Sequence, residues 1–173
     1  MPPIDPTALA DCEGLDTLPF SSRDFRDAMG RFATGVVVIS TEHEGDAHAM
    51  TANAFMSGSL EPPLVLVSVA CTARMHERIQ AAGRFGVSVL AQAQLDVSNH
   101  FAGKRSERFA PGFERLGTLP VIAGAAMQLV ADLRHAYPCG DHTLFVGEVR
   151  ALRSESGAEP LLYHGGRYGR LAA

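Results

Sequence analysis

The residues that could do chemistry fall into three groups. The first is Met50 to Ser59, which carries Thr51, Ala52, Asn53, Ala54, Ser57, Gly58 and Ser59. A strand built only to pack would carry larger apolar side chains. Small side chains let a flat group lie against the backbone, and Thr, Asn and Ser offer it donors and acceptors. The same composition also suits a Gly/Ser-rich loop that binds nothing. The second group is Cys71-Thr72-Ala73-Arg74, just before helical spacing from Met75 to Ala82. Thr72 as N-cap with Arg74 beside it would suit a phosphate, because unpaired N–H groups and the helix dipole favour an anion. From these residues alone, an ordinary cap with a solvated arginine is the preferred reading. The third is His142, in a Gly140-Asp141-His142 turn before a strong strand. A side chain there can project over a barrel mouth or simply meet water.

Other chemistries are excluded by missing motifs. No GxGxxG opens a helix after a strand, and there is no GxxxxGK[ST], HExxH or GxSxG. His76-Glu77 lacks the second histidine of a zinc helix. The seven histidines are dispersed, so no metal is expected. Cys12, Cys71 and Cys139 are far apart and form no CxxC, which argues for a reducing cytoplasm over a disulfide framework. The net charge is −4 with Lys and Arg scattered. Neither nucleic acid nor a membrane surface is an expected partner. No apolar run approaches the roughly 20 residues of a membrane span, and no signal-peptide plan opens the chain.

The elements that must position these groups can be read in order. With 173 residues, one domain is expected. Residues 1–19, with Pro2, Pro3 and Pro6, read as a flexible leader, a mobile arm or a strap on a partner subunit. The domain proper spans 20–173. Ser21 and Asp24 form a capping signature for a helix whose apolar face is Phe25, Ala28, Met29 and Phe32, ended by Thr34-Gly35. Val36 to Thr41 is a strand, paired through a polar turn with a single strand over Ala47 to Ser59. Pro62-Pro63 turns the chain into Leu64 to Ala70, apolar enough to be buried on both faces. A helix over 75–82 ends at Gly83. Then come a strand at 85–90, a helix at 91–101 and a polar, irregular excursion at 105–119. Strands at 125–136 and 143–152 flank a turn at 137–142, and a short strand follows at 161–163. The strands do not alternate one-for-one with helices. This favours a mainly β, mostly antiparallel closed barrel with peripheral helices over a doubly wound sheet.

The order of several blocks carries a resemblance. Phe25-x-x-Ala28-Met29-x-x-Phe32-Ala33-Thr34-Gly35-Val36-Val37-Val38-Ile39 leads to Met50-Thr51-Ala52-Asn53-Ala54-Phe55 and Ser59-Leu60-x-Pro62-Pro63-Leu64-Val65. Phe101-Ala102-Gly103, Gly140-Asp141-His142-Thr143-Leu144-Phe145-Val146-Gly147-Glu148-Val149 and Pro160-Leu161-Leu162-Tyr163-x-Gly165-Gly166-x-Tyr168 follow. Together they resemble the flavin reductase-like family, the reductase components of two-component flavin-dependent monooxygenases, over about residues Phe20 to Leu171. The resemblance implies a split β-barrel of the FMN-binding, Greek-key type. It implies a homodimer with the flavin site at or near the interface, and NAD(P)H-dependent reduction of FAD or FMN. Reduced flavin would pass by diffusion to a separate monooxygenase.

Carried over residue by residue, Thr51, Ala52 and Asn53 would line the isoalloxazine, with Ser57 near its edge. Ser68, Cys71 and Thr72 would hold the ribityl chain and phosphate, and Arg74 would offset the negative charge that accompanies hydride transfer. Phe101, Ala102 and Gly103 would wall the flavin side. Asp141 and His142 would face the nicotinamide, with His142 orienting it, and Tyr163 and Tyr168 would shape the pocket mouth. Many relatives have a Lys/Arg-x-Ser-x-Thr segment where this chain has Cys71 to Met75, so the charged residue has moved. No basic cluster surrounds Asp141-His142, which favours NADH over NADPH, since a 2′-phosphate wants an arginine. The rival class is a non-catalytic flavin- or heme-binding split barrel, with His142 as a heme ligand.

Overall fold

The computed structural model describes residues 19–104 and 109–172. The expected leader, apart from Pro19, lies outside the described residues. The chain runs α1 (Ser22–Met29), β1 (Thr34–Gly35), β2 (Val37–His43), β3 (Asp46–Ala52), β4 (Phe55–Leu60), β5 (Pro63–Ala70), α2 (Arg74–Ala82) and β6 (Arg84–Val89). A 3-10 turn (Gln92–Gln94) leads into α3 (Leu95–Phe101), then β7 (Phe113–Leu116), β8 (Leu119–Ile122), β9 (Met127–Cys139), β10 (His142–Ser154), β11 (Leu162–His164) and β12 (Arg167–Gly169).

The main sheet has seven antiparallel strands in the order β3-β2-β6-β9-β10-β5-β4. Its two edge strands, β3 and β4, are consecutive in sequence and joined only by Asn53-Ala54. A link this short spans about 10 Å from Ala52 to Phe55, so the sheet must roll until its edges meet. Yet β3 pairs with β2 and β4 with β5, not with each other. The barrel is therefore split along this seam. The expected single strand over 47–59 is two strands, and the expected full closure is replaced by a corner. Ala54 stitches it: its carbonyl accepts the Ser68 N–H at 3.1 Å.

The barrel interior holds Val37, Ile39, Val65, Val67, Val69, Phe85, Val87, Leu129 and Phe145, with Met75 and Ile79 of α2 plugging it. Gly147 lets the Phe85 ring lie against the backbone; a Cβ there would come within 2.6 Å of that ring. A second cluster lies outside the barrel wall: Val36, Val38, Leu90, Val97, Ile122, Ala125 and Leu161. Hence β2 is buried on both faces, its first five residues all covered, and β6 and β8 carry similar runs of four. The sequence reading gave that property to β5. There, Val65, Val67 and Val69 are buried but Leu64, Leu66, Ser68 and Ala70 are only partly so, because no other described part of the chain covers the outer face.

The helix starts also differ in detail. Ser21 and Asp24 form the expected capping box, with reciprocal bonds of 3.1 and 2.8 Å. However, α1 ends at Met29 and buries none of its residues. The N-cap of α2 is Ala73, without a side-chain cap bond, so Thr72 does not cap it; Arg74 is the first helical residue. Gly83 ends α2 at φ +64°, as expected. The excursion expected to be irregular over 105–119 contains instead the start of the β7–β8 hairpin. Leu119, Val121 and Ile122 are buried, and Ser88 Oγ accepts the Ile122 N–H at 2.9 Å. Residues 105–108 lie outside the described residues. Among the described residues no helix is long and apolar enough to cross a membrane, and no cluster of three metal-ligating side chains occurs.

Candidate functional site

A cleft of about 350 Å³ opens beside the seam. Its floor is the end of β3 and the corner: Thr51, Ala52 and Asn53, with Val36. Ala102 and Lys104, beyond α3, form one side. Tyr163, Gly166 and Tyr168 of the β11–β12 hairpin form the other. The hairpin is a two-residue turn, His164 facing Arg167, with Gly165 and Gly166 at φ +56° and +77°. Positive φ at both centres is the type I′ geometry that glycine adopts without cost. β11 is fixed in turn by β1, where Tyr163 faces Thr34. Tyr163 and Tyr168 meet edge to face with ring centres 5.4 Å apart.

The floor and both walls are held together by α3. Thr51 Oγ1 donates to the Ser98 carbonyl at 2.8 Å. Ser98 Oγ and the Tyr168 hydroxyl share a bond of 2.9 Å. Thr51 therefore uses its hydrogen to fasten the floor to α3. Phe101 turns away from the cleft to pack edge-on against Phe113 and His100, at 5.7 and 4.9 Å. Gly103 (φ +87°) redirects the chain after α3.

The other expected residues form a second group along the far side of the seam. Ser68 touches the corner through Ala54. Three residues on, the Cys71 N–H donates to the Asp141 carbonyl at 2.9 Å, and His142 faces Ala70 across the ladder. Cys71 and Thr72 are exposed. His142 Nδ1 lies 2.7 Å from Asp141 Oδ1, its side chain 42% exposed. The hydrogen bond from His142, with that ring's charge, holds the Asp141 carboxyl below the usual range. An ionised carboxylate only accepts, so Nδ1 donates; in the neutral ring Nε2 is left as an outward acceptor. His76 Nε2 is engaged elsewhere, 2.8 Å from Thr143 Oγ1.

Two further expected residues, Ser57 and Arg74, do not line the cleft. Ser57 is exposed on β4 beside a bulge. Arg74 acts on Asp46 at the start of β3, where the Arg78 hydrogen bond dominates in depressing the carboxyl. That end is about 17 Å along the strand from Thr51. Val36, Ser98, Lys104 and Gly166 were not singled out in the sequence. Lys104 follows Phe101-Ala102-Gly103 directly and could have been read from that position. Ser98, a serine inside a helix, gives no such signal.

On the opposite side of Asn53 is a smaller cleft of about 210 Å³, lined by Phe32, Ala33, Thr34, Gly35, Val37, Phe55 and Val89. Asn53, exposed at the corner, lines both clefts.

Comparison with known proteins shows the family. The chain matches the flavin reductase like domain over residues 29–172. It is 43% identical to an NADH-dependent flavin reductase of Rhodococcus sp, covering 83% of this chain and 82% of that one. It is 40% identical to the reductase component of 4-hydroxyphenylacetate 3-monooxygenase of Thermus thermophilus, over 85% of this chain and 95% of the other. The solved structure of the flavin reductase PheA2 in its native state superposes with a TM-score of 0.86 at 47% identity, covering 89% of this chain and all of that one. With its split barrel, its small-residue corner and this extent of match, the chain belongs to the flavin reductase-like family.

Proposed function

We propose that the protein uses NADH to reduce FAD or FMN and releases the reduced flavin to a separate monooxygenase. The observation that carries this reading is the cleft at the seam. Ala52, Ala102 and Gly166 keep it open to a flat ring, and Tyr163 and Tyr168 supply an aromatic wall. Its volume of about 350 Å³ falls in the range of small-molecule sites. A bound flavin would supply the hydride acceptor. The chain's own residues position and select. Asn53 offers amide donors and acceptors at the floor, and Lys104 a cation for phosphate oxygens. His142 presents Nε2 to the carboxamide of the nicotinamide, fixed by Asp141. Ser68, Cys71 and Thr72 would line the path from the corner toward His142. Hydride transfer needs no side-chain proton, and none of these residues is given one to move.

The working unit in this reading is a homodimer of one reductase domain, residues 20–173. Two uncovered apolar surfaces support it. Met56 and Leu60 of β4 are 60% and 88% exposed, next to the partly open Leu64 and Leu66 of β5. On α1, Phe25 and Met29 are over half exposed. An eight-residue helix that buries nothing has little stability of its own. The site of action is the cytoplasm, in keeping with the free thiols of Cys71 and Cys139.

The test is steady-state oxidation of NADH by purified protein with added FAD, added FMN or neither. Turnover that depends on added flavin supports the reading. A retained, coloured cofactor without turnover would replace it with a binding module.

A further inference from the structure

We propose that Ser98 is a positioning residue that sets the shape of the cleft without lining it. The inference rests on the reading of the cleft as the flavin site. Ser98 is fully buried within α3. Its carbonyl accepts two hydrogen bonds, one from the Ala102 N–H at 2.9 Å and one from the Thr51 hydroxyl at 2.8 Å. Its hydroxyl is bonded to the Tyr168 phenol at 2.9 Å. Thr51, Ala102 and Tyr168 all line the cleft, and they belong to three separate elements. One residue thus fixes the floor, one wall and the facing wall.

The two backbone bonds would survive a change of side chain; the hydroxyl bond would not. Tyr168 sits on a three-residue strand at the edge of a small sheet, its ring packed against the second apolar cluster; those contacts are non-directional, and the bond to Ser98 is what orients the hydroxyl. Tyr163 touches it edge-on but offers it no hydrogen bond in that contact. Without the Ser98 hydroxyl, the phenol regains rotational freedom that a bound flat ligand must remove again. A loss of preorganisation of this kind weakens binding more than it slows a chemical step.

Ser98→Ala and Tyr168→Phe, singly and together, test this. Affinity for FAD is read by quenching of flavin fluorescence without NADH, and flavin KM and kcat by steady-state turnover. Each single variant is expected to weaken FAD binding and raise flavin KM about three- to ten-fold, as loss of one hydrogen bond does. In Ser98→Ala the kcat at saturating flavin stays within about two-fold, and the double variant binds FAD no more weakly than either single one, because both remove the same bond. Unchanged FAD affinity in soluble, folded Ser98→Ala overturns the proposal, and so do additive effects in the double variant. If Ser98→Ala does not fold, Tyr168→Phe alone decides: unchanged FAD affinity overturns it. Wild-type protein that binds FAD but does not turn over NADH would count against the reductase reading, not against Ser98, since the quenching data stand without turnover.

Discussion

The Nδ1 atom of His142 is held 2.7 Å from the carboxylate of Asp141, the residue immediately before it. His142 opens β10 and faces Ala70 at the end of β5, and Asp141 is the last residue of the turn before it. The pairing fixes the ring tautomer and turns Nε2 outward. His142→Ala is therefore expected to raise the KM for NADH by about ten-fold, the value of an oriented hydrogen bond, with a smaller change in flavin KM. An unchanged NADH KM would remove His142 from the nicotinamide side.

Asp141→Asn keeps the shape but replaces a charged acceptor by a neutral amide. Its expected effect on NADH KM has the same direction and is smaller, about two- to five-fold, because the ring stays and only its orientation loosens. An effect larger than that of His142→Ala would mean that Asp141 acts on its own.

The pH dependence of this pair follows from the depressed Asp141 carboxyl. A carboxylate whose folded value is lowered favours the folded arrangement at pH above its ordinary value, about 3.9. That contribution fades as pH falls through the lowered folded value. The Asp141–His142 contact should therefore persist on acidification from neutral pH through the ordinary carboxylate range and break only below it. Nitrogen chemical shifts of the His142 ring report the contact directly. Loss of the Nδ1–H signature well above pH 4 would contradict the geometry.

How much of this was legible in the sequence depends on the kind of signal. The existence of β5 and the capping box of α1 are local patterns, and they were readable; the alternation of buried and half-open faces along β5 was not, because both faces carry apolar residues. The corner at Asn53-Ala54 was not: its neighbours read as one run of small residues, and only the sheet order shows that the run joins opposite edges. Thr51 was readable as a site residue but not as a donor to Ser98, because that bond crosses 47 positions. The hairpin at Phe113 to Ile122 was hidden by the adjacent charges Glu114 and Arg115, which break the apolar pattern of β7, although Leu119, Val121 and Ile122 are buried. Thr72 was read as a cap because threonine suits that role, yet the helix begins one residue later.

The barrel interior offers a control that should disturb stability without reference to the cleft. In Gly147→Ala the new Cβ would lie within 2.6 to 2.8 Å of the Phe85 ring and the Ala131 Cβ. Overpacking of this kind costs about 1 to 3 kcal/mol. Chemical denaturation should show a lower midpoint, with flavin KM near wild type in the folded protein. A wild-type midpoint would mean that the core has room the structure does not show.

The opposite case is Ala102→Leu. Ala102 is exposed at the cleft, so the added side chain should change stability by no more than about 0.5 kcal/mol. It should nevertheless raise flavin KM about ten-fold or more by filling the space a flat ring would use. Unaltered flavin kinetics would place the ring elsewhere.

The central claim is that flavin is a substrate that leaves. It is tested most directly by adding NADH without oxygen to a small amount of protein in a large excess of FAD or FMN, and following the yellow absorbance of the oxidised flavin. The account predicts that the whole flavin pool is bleached, many equivalents per chain. Bleaching that stops at one equivalent per chain, or none at all, would contradict it.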